Sequence, residues 1–308
     1  MSHVTVLLNE AVDGLAVAPG KLYCDCTLGF AGHSELILRR GGRLIAIDRD
    51  ADAIAASRER LAEYGGAVTF VHGNFGDIAE ILKSLGIEKL DGGLLADCGV
   101  SSWQLDAEGA RGFSYMRSEG LDMRMNRDEN FTARELVNTW SAAEIKRILY
   151  EYGEERYAPQ IAAAIARRRE IRPIETTEEL ADIIRSAMPG KALREKQHPA
   201  KRSFQAIRQA VNNEPGELNA LLAALPEVLE SGARACFIEF HSGEGSAIKR
   251  AFKNFSDGCT CPKDFPKCVC GFVPSMKIIT KKPILPSAEE ISDNPRSRSA
   301  KLRIAERL

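Results

Sequence analysis

Residues 21–48 read KLYCDCTLGFAGHSELILRRGGRLIAID. A short apolar run, KLYCDCTL (21–28), stops at Gly29, HSELILRR behind it has helical spacing, and GRLIAID gives a second apolar run ending on Asp48. Runs that stay apolar instead of alternating belong to strands covered on both faces. A single helix between two such strands makes a right-handed crossover to a parallel neighbour. Outward from here the pattern repeats. DADAIAASRERLAEYG (50–65) reads as an amphipathic helix, AVTFVHGNF (67–75) as a third strand, IAEILKSLG (78–86) as a third helix and LDGGLLADCGV (90–100) as a fourth strand. The predicted fold class is α/β, with a doubly wound, mostly parallel sheet whose ligands bind beyond the carboxyl ends of the strands.

From about Leu105 the pattern changes. FSYMRSEGLDMRMNRDEN is polar and rich in Met and Arg, and helical stretches follow: AAEIKRILYEYG, RYAPQIAAAIARRRE and TTEELADIIRSAM. Thr176 and Glu179 have the spacing of a capping box at the start of the last. Strand character returns at ARACFIEFH (233–241) and again in PSMKIITKKPILP. The expected organisation is a sheet domain of residues 1–105 and 200–308 with a helical domain, 106–199, inserted in it. The tail from Asp293 is expected to be a loosely packed basic arm.

The 308 residues are 44% hydrophobic and 28% charged, with a net charge of −1, which excludes a disordered chain, a coiled coil and a histone-like polycation. No apolar run reaches the roughly 20 residues of a membrane helix. The start, MSHVTVLLNEAVDGLAV, lacks a cationic region ahead of a long apolar stretch, so no secretory signal is expected. Eight cysteines in so long a chain are not a disulfide scaffold. A cytoplasmic protein with no membrane partner is expected.

The unusual residues fall at the strand ends. Asp25-Cys-Thr-Leu-Gly29-Phe-Ala31-Gly32-His33-Ser34 follows strand one; its glycines allow close backbone approach, and the helix beginning near His33 offers free N–H groups. Asp48, nineteen residues past Gly29, is placed to accept hydrogen bonds from ribose hydroxyls. The loop departs from the G-x-G-x-x-G of dinucleotide sites, and Asp25 precedes its glycines. A nucleoside without a pyrophosphate, such as S-adenosylmethionine, suits it better. Asn74 and Phe75, after strand three, stand where an adenine would lie. Asp97-Cys-Gly-Val-Ser-Ser-Trp103-Gln104-Leu-Asp106 follows strand four, next to the topological switch point. Methylating an exocyclic amine requires an acceptor that localises its lone pair and takes up its proton, and Asp97 is the candidate. The amine is itself the nucleophile, so the adjacent Cys98 is given no covalent role.

Two segments are net basic. GKALREKQHPAKRSFQAIRQA (190–210) holds six Lys/Arg against Glu195, together with His198 and Phe204, and NPRSRSAKLRIAERL (294–308) holds five against Glu306. Cations interleaved with stacking-capable rings point to a nucleic-acid backbone. Separately, Cys259-Thr-Cys261 and Cys268-Val-Cys270 bring four thiols into twelve residues. That set can form a tetrahedral zinc site, although C-x-C pairs are less typical of zinc than C-x-x-C, so no metal ligand is assigned from sequence.

From end to end the chain resembles the bacterial RsmH (MraW) family of 16S rRNA cytosine-N4 methyltransferases. The matching stretches are HVTVLLNEAV, DCTLGFAGHSELIL, AIDRDADAI, DCGVSSWQLD, RGFSYMRSEGLDMRM, YGEERYAPQIAAAI, HPAKRSFQAIRQAVNNE and NPRSRSAKLR. The resemblance implies a class I methyltransferase sheet with an inserted helical domain that uses S-adenosylmethionine to methylate the exocyclic amine of a P-site cytosine in 16S rRNA of the small ribosomal subunit. Carried over by position, cofactor contacts fall on Ala31, Gly32, His33, Asp48, Phe75, Asp97 and Gln104, with Asp97 catalytic. His198, Lys201, Arg202 and Arg124 are candidate RNA contacts. A homodimer is compatible with the sequence, which does not fix the oligomeric state.

This chain departs from the family pattern in three places, one of them Glu119-Gly120-Leu121-Asp122-Met123-Arg124-Met125, which lacks the Pro of the family's G-P-L-D-M-R-M and is expected to be a more mobile loop. Ala31 stands where the family loop usually has glycine, a change expected to be tolerated. Where the family runs F-H-S-L-E-D-R, this chain has Phe240-His241-Ser242-Gly243-Glu244-Gly245-Ser246, without the Asp and Arg. That loss motivates a second expectation, a non-catalytic ribosome-assembly factor that binds S-adenosylmethionine and rRNA. A DNA N4-cytosine methyltransferase ranks last, because those enzymes usually carry a Ser/Asp-Pro-Pro-aromatic motif where Asp97-Cys-Gly-Val stands.

Overall fold

The computed structural model describes residues 4–99, 111–262 and 269–308. The chain divides into two units, Met1–Gly99 with Pro215–Leu308, and Val100–Glu214.

In the first unit β1 (Leu22–Asp25), β2 (Arg43–Asp48), β3 (Val68–His72), β4 (Gly93–Asp97), β5 (Arg234–Glu239), β6 (Met276–Ile278) and β7 (Lys301–Arg307) form one sheet in the order β3-β2-β1-β4-β5-β7-β6. The first five strands are mutually parallel, and β7 runs antiparallel between β5 and β6. The order reverses between β1 and β4, the switch point at which doubly wound sheets open a crevice. This is the class I methyltransferase arrangement.

Side chains alternate across the strands into two cores, which explains the unbroken apolar runs. Cys24, Cys26, Ile45, Ile47, Leu94 and Phe237 pack on one face under α4 (Ile78–Ser84), α10 (Glu214–Val228) and α11 (Ser242–Ser256). Tyr23, Leu44, Ala46, Leu95 and Cys236 pack on the other under α1 (Leu8–Leu15), α2 (Gly32–Arg39) and α3 (Ala51–Arg60). The strand cysteines Cys24, Cys26 and Cys236 are thus core residues.

The basic tail is not a loose arm. Residues 301–307 are β7, with Leu302, Ile304 and Ala305 buried. Two of its charges are paired inside the fold: Arg303 Nε donates to Glu239 at 2.8 Å, and Glu306 accepts from Arg234 of β5 at 2.9 Å. Arg307 caps the carbonyls of Pro226 and Ser275. Charge density hid a strand whose alternate residues face the core.

The second unit is helical: α5 (Ala133–Thr139), α6 (Ala142–Glu151), α7 (Ala158–Ile171), α8 (Thr177–Ala187) and α9 (Lys201–Val211) surround a core that includes Leu136, Ile145, Ile148, Ile161, Ile165 and Ile184. Thr176 and Glu179 form the capping box of α8. This unit reaches past the expected 106–199 because α9 buries Phe204, Ile207 and Val211 in the same core. The boundary falls instead at Glu214, after Asn213 adopts a positive φ of 48°. No described helix is long and apolar enough to cross a membrane.

Candidate active site

Because β1, β2 and β4 are parallel, their carboxyl ends share one edge and bring Asp25, Asp48 and Asp97 together. Asp48 ends β2, and both its oxygens accept backbone N–H groups, Oδ2 from Gly29 at 2.8 Å and Oδ1 from Asp50 at 2.9 Å. Each oxygen keeps a further lone pair for an external donor. Burial pushes this carboxyl up to about 6 against those two hydrogen bonds. Asp25 is buried and accepts from Ser34 Oγ at 2.7 Å and from the Thr27 N–H at 3.1 Å. Burial raises it, and the Ser34 bond offsets part of the rise.

Asp97 ends β4. Its backbone N–H donates to Thr27 Oγ1 at 2.7 Å, which ties the end of β4 to the loop after β1. Among the described residues, its side chain accepts a long bond from the Gly99 N–H, at 3.4 Å. Burial pushes the Asp97 carboxyl up to about 7, opposed by the Gly99 bond and reinforced by the negative charges of Asp25 and Glu244. A carboxyl poised near neutrality at a sheet's switch point has the character of a proton acceptor.

The loop between β1 and α2 explains its own sequence. Ala31 is the N-cap of α2 in the left-handed region, φ 61° and ψ 23°, and is fully buried. A methyl group fits there, but the backbone is one that glycine adopts more easily. Gly32 must lack a side chain, since a Cβ would overlap the hydroxyl of Thr5. His33 is 4% exposed, and its Nε2 lies 3.1 Å from the Val6 carbonyl, to which it donates. It therefore anchors the N-terminal segment over the loop. After β3, Phe75 packs half-buried against the sheet core, and the buried Oδ1 of Asn74 has no hydrogen-bond partner among the described residues. Gln104 and Trp103 lie outside the described residues.

The altered segment 240–246 starts α11. His241 is its N-cap: Nδ1 accepts from the Glu244 N–H at 3.3 Å, Nε2 donates to Glu244 Oε1 at 2.8 Å, and Glu244 Oε2 accepts from the Phe240 N–H at 2.7 Å. The residues that build this cap are those this chain shares with the family pattern. Gly245 sits where a Cβ would come within 2.6 Å of the Glu239 carboxylate. Sequence reasoning missed Glu239, Thr27, Ser34 and Thr5, because their roles depend on residues brought in from other strands and loops.

The expected RNA contacts lie in the helical unit. Lys201 is exposed and Arg202 half-buried, at the start of α9. The His198 ring stacks on Tyr115 with centroids 4.5 Å apart. Burial, with Arg185 nearby, lowers its pKa, which favours the neutral ring. Phe204, expected as a stacking surface, is 3% exposed and meets Tyr115 edge-on from within the core. Arg208 is held by Glu214 through two hydrogen bonds. Arg124 is engaged within its own loop. Its guanidinium donates to Asp122 twice, at 2.7 and 2.8 Å, and to the carbonyls of Arg127 and Glu129. With four N–H groups engaged locally, Arg124 shapes its own loop. Burial alone would raise Asp122, but the Arg124 hydrogen bonds outweigh it and hold the carboxyl below its usual value. The same loop is fixed by Asn212, which accepts from the Met125 N–H and donates to the Met123 carbonyl, both at 2.7 Å.

A family model, the MraW methylase family, matches residues 1–308. The chain belongs to the MraW methylase family. Among MraW relatives, the ribosomal RNA small subunit methyltransferase H of Paenibacillus sp. (strain JDR-2) is 50% identical over 99% of both chains. The protein of the same name from Carboxydothermus hydrogenoformans is 50% identical over 100% of this chain and 98% of its own. An rRNA methylase structure from Streptococcus thermophilus aligns over 100% of this chain and 99% of its own, at 9% identity and a TM-score of 0.44.

Proposed function

We propose that the protein transfers the methyl group of S-adenosylmethionine to the exocyclic N4 amine of a P-site cytosine in 16S rRNA of the small ribosomal subunit. The observation that carries this reading is the Asp97 carboxyl, half-buried at the end of β4 beside the switch point and pushed up to about 7. The residues at the strand ends fit the cofactor. Carboxyl groups of Asp25, Asp48, Asp97 and Glu244 gather there, which favours a cationic sulfonium and disfavours a pyrophosphate. Asp48 has lone pairs for ribose hydroxyls, and the unpartnered Asn74 Oδ1 is an acceptor for a nucleobase amine. The Gly29–Gly32 turn lets the backbone close on a ligand. Gln104 is assigned to the cofactor from its motif position.

When bound, S-adenosylmethionine supplies an electrophilic sulfonium methyl. Ionised Asp97 accepts a hydrogen bond from the substrate N4–H, localises the nitrogen lone pair otherwise delocalised into the ring, and takes up the proton lost as the N–C bond forms. Thr27 holds the Asp97 backbone, so the carboxylate is presented in one place. A cytosine must be flipped or single-stranded to reach it. Lys201, Arg202 and the His198–Tyr115 stack are the RNA-facing groups of the helical unit.

The test is methyl transfer from labelled S-adenosylmethionine to small ribosomal subunits lacking the modification. Label recovered as N4-methylcytidine is the expected result. Cofactor binding without transfer would favour the assembly-factor reading, and label on another atom would remove the proposed role of Asp97.

A further inference from the structure

We propose that Cys259, Cys261 and Cys270 bind one zinc ion, at a structural site separate from the methyl-transfer centre. Their three sulfur atoms lie within 4.8 Å of one another, on the segment joining α11 to β6. The Cys259 and Cys270 sulfurs are 3.6 Å apart. A disulfide would bring them to about 2.05 Å. In a tetrahedral site with Zn–S bonds of about 2.3 Å, the edge between two sulfurs is about 3.8 Å. The observed spacing therefore matches two ligands of one ion and not a bonded pair. The Val269 N–H donates to Cys261 Sγ at 3.3 Å.

Among the described residues of this segment, no buried apolar side chain accounts for the convergence. None of the described residues from Asp257 to Ser275 is buried, and Val269 and Val273 are 74% and 78% exposed. A segment that cannot bury apolar surface stays open unless something else ties it, and a structural metal supplies that tie. Charge fits as well. Three thiolates and one dication leave a net negative charge, and Lys249, Arg250 and Lys253 of α11 line the same groove as Cys259. The all-sulfur donor set selects a soft ion over magnesium or calcium. Cys268 lies outside the described residues, and the site is defined without it.

The test is elemental analysis of the full chain purified without chelator, beside a Cys259→Ser/Cys270→Ser variant and a Cys24→Ser control. About one zinc per chain is expected in the wild type and the control, and at least a tenfold loss in the double variant. Cobalt added to metal-stripped protein should give a thiolate-to-metal charge-transfer band in the wild type that the double variant lacks. S-adenosylmethionine binding by the double variant checks that the sheet unit remains folded. Wild-type protein that holds no zinc and takes none up from micromolar solution would overturn the proposal. Undiminished zinc in the double variant, iron in place of zinc, or a Cys259–Cys270 disulfide in protein isolated under reducing conditions would also overturn it.

Discussion

The Asp97 N–H donates to Thr27 Oγ1 at 2.7 Å, so the residue at the end of β4 is held by a side chain from the loop after β1. Thr27→Val keeps the shape of the side chain and removes the acceptor. We expect a stability loss of about 1–2 kcal/mol by urea denaturation. Methyl transfer should fall further than cofactor affinity, because the bond orients Asp97. Thr27→Ser should restore both. Unchanged turnover in the valine variant would mean that this bond does not position the carboxylate.

Asp97→Ala is expected to abolish transfer and to leave the circular dichroism spectrum near wild type. The comparison that matters is single-turnover transfer at saturating RNA. Wild-type rates in the variant would take Asp97 out of the mechanism.

The pH dependence follows from two raised carboxyls. Asp97 at about 7 and Asp48 at about 6 are protonated at acid pH and ionise only as pH rises. Transfer should therefore rise with pH through about 7, and cofactor affinity should rise through about 6. Asp97→Asn should remove the upper inflection from any residual rate. For ligand-free protein the sign reverses. Both groups have folded values above their ordinary 3.8, so their contribution to stability is full below about 4 and is lost as pH climbs toward 7. Melting temperatures of the ligand-free protein measured from pH 4 to 8 check the second half.

Ala31 carries a left-handed backbone at φ 61°. Such a conformation costs an L-residue roughly 1–2 kcal/mol, and glycine gives back roughly 0.5–1 through its freer unfolded state. Ala31→Gly should thus stabilise the protein by about 0.5–1 kcal/mol, read as a higher urea midpoint at an unchanged m-value. A lower midpoint would show that the methyl group contributes more by packing than the backbone loses.

In the helical unit, Arg124→Lys should raise the KM for ribosomal subunits several-fold while cofactor affinity stays constant, since one ammonium cannot replace four directed N–H groups. Lys201→Ala with Arg202→Ala should instead weaken RNA binding and flatten its salt dependence, each lost phosphate contact reducing the log–log slope by about 0.7–0.9. Binding titrations at several salt concentrations separate the two effects.

The sheet up to Asp97 was legible because its strands are short, largely apolar and separated by single helices, a pattern with one economical packing. The aspartates at the strand ends were legible for the same reason, since topology alone sends them to one edge. Thr27, Thr5 and Ser34 were not, because what each touches depends on how neighbouring strands and loops meet. β7 was hidden by composition: Lys301, Arg303 and Arg307 look solvated until Glu239 and two backbone carbonyls receive Arg303 and Arg307. The local role of Arg124 was hidden as well. A guanidinium in a polar loop reads as a ligand contact, and only the positions of Asp122 and the Arg127 and Glu129 carbonyls reveal that it also holds its own loop.

β4 and β5 are paired neighbours, with Gly93 opposite Arg234, although residues 98–233 lie between them in the chain. Closing a flexible loop of that length costs about 4 kcal/mol in chain entropy before any contact of the pair forms. A helical unit already folded removes most of its own freedom from that closure, so the expected order of assembly is insert first and the β4–β5 ladder second. Substitutions in the insert's core, such as Ile148→Ala, should then slow completion of a sheet they never touch. Pulsed hydrogen exchange in which β5 amides gain protection before those of α6 would reverse that order.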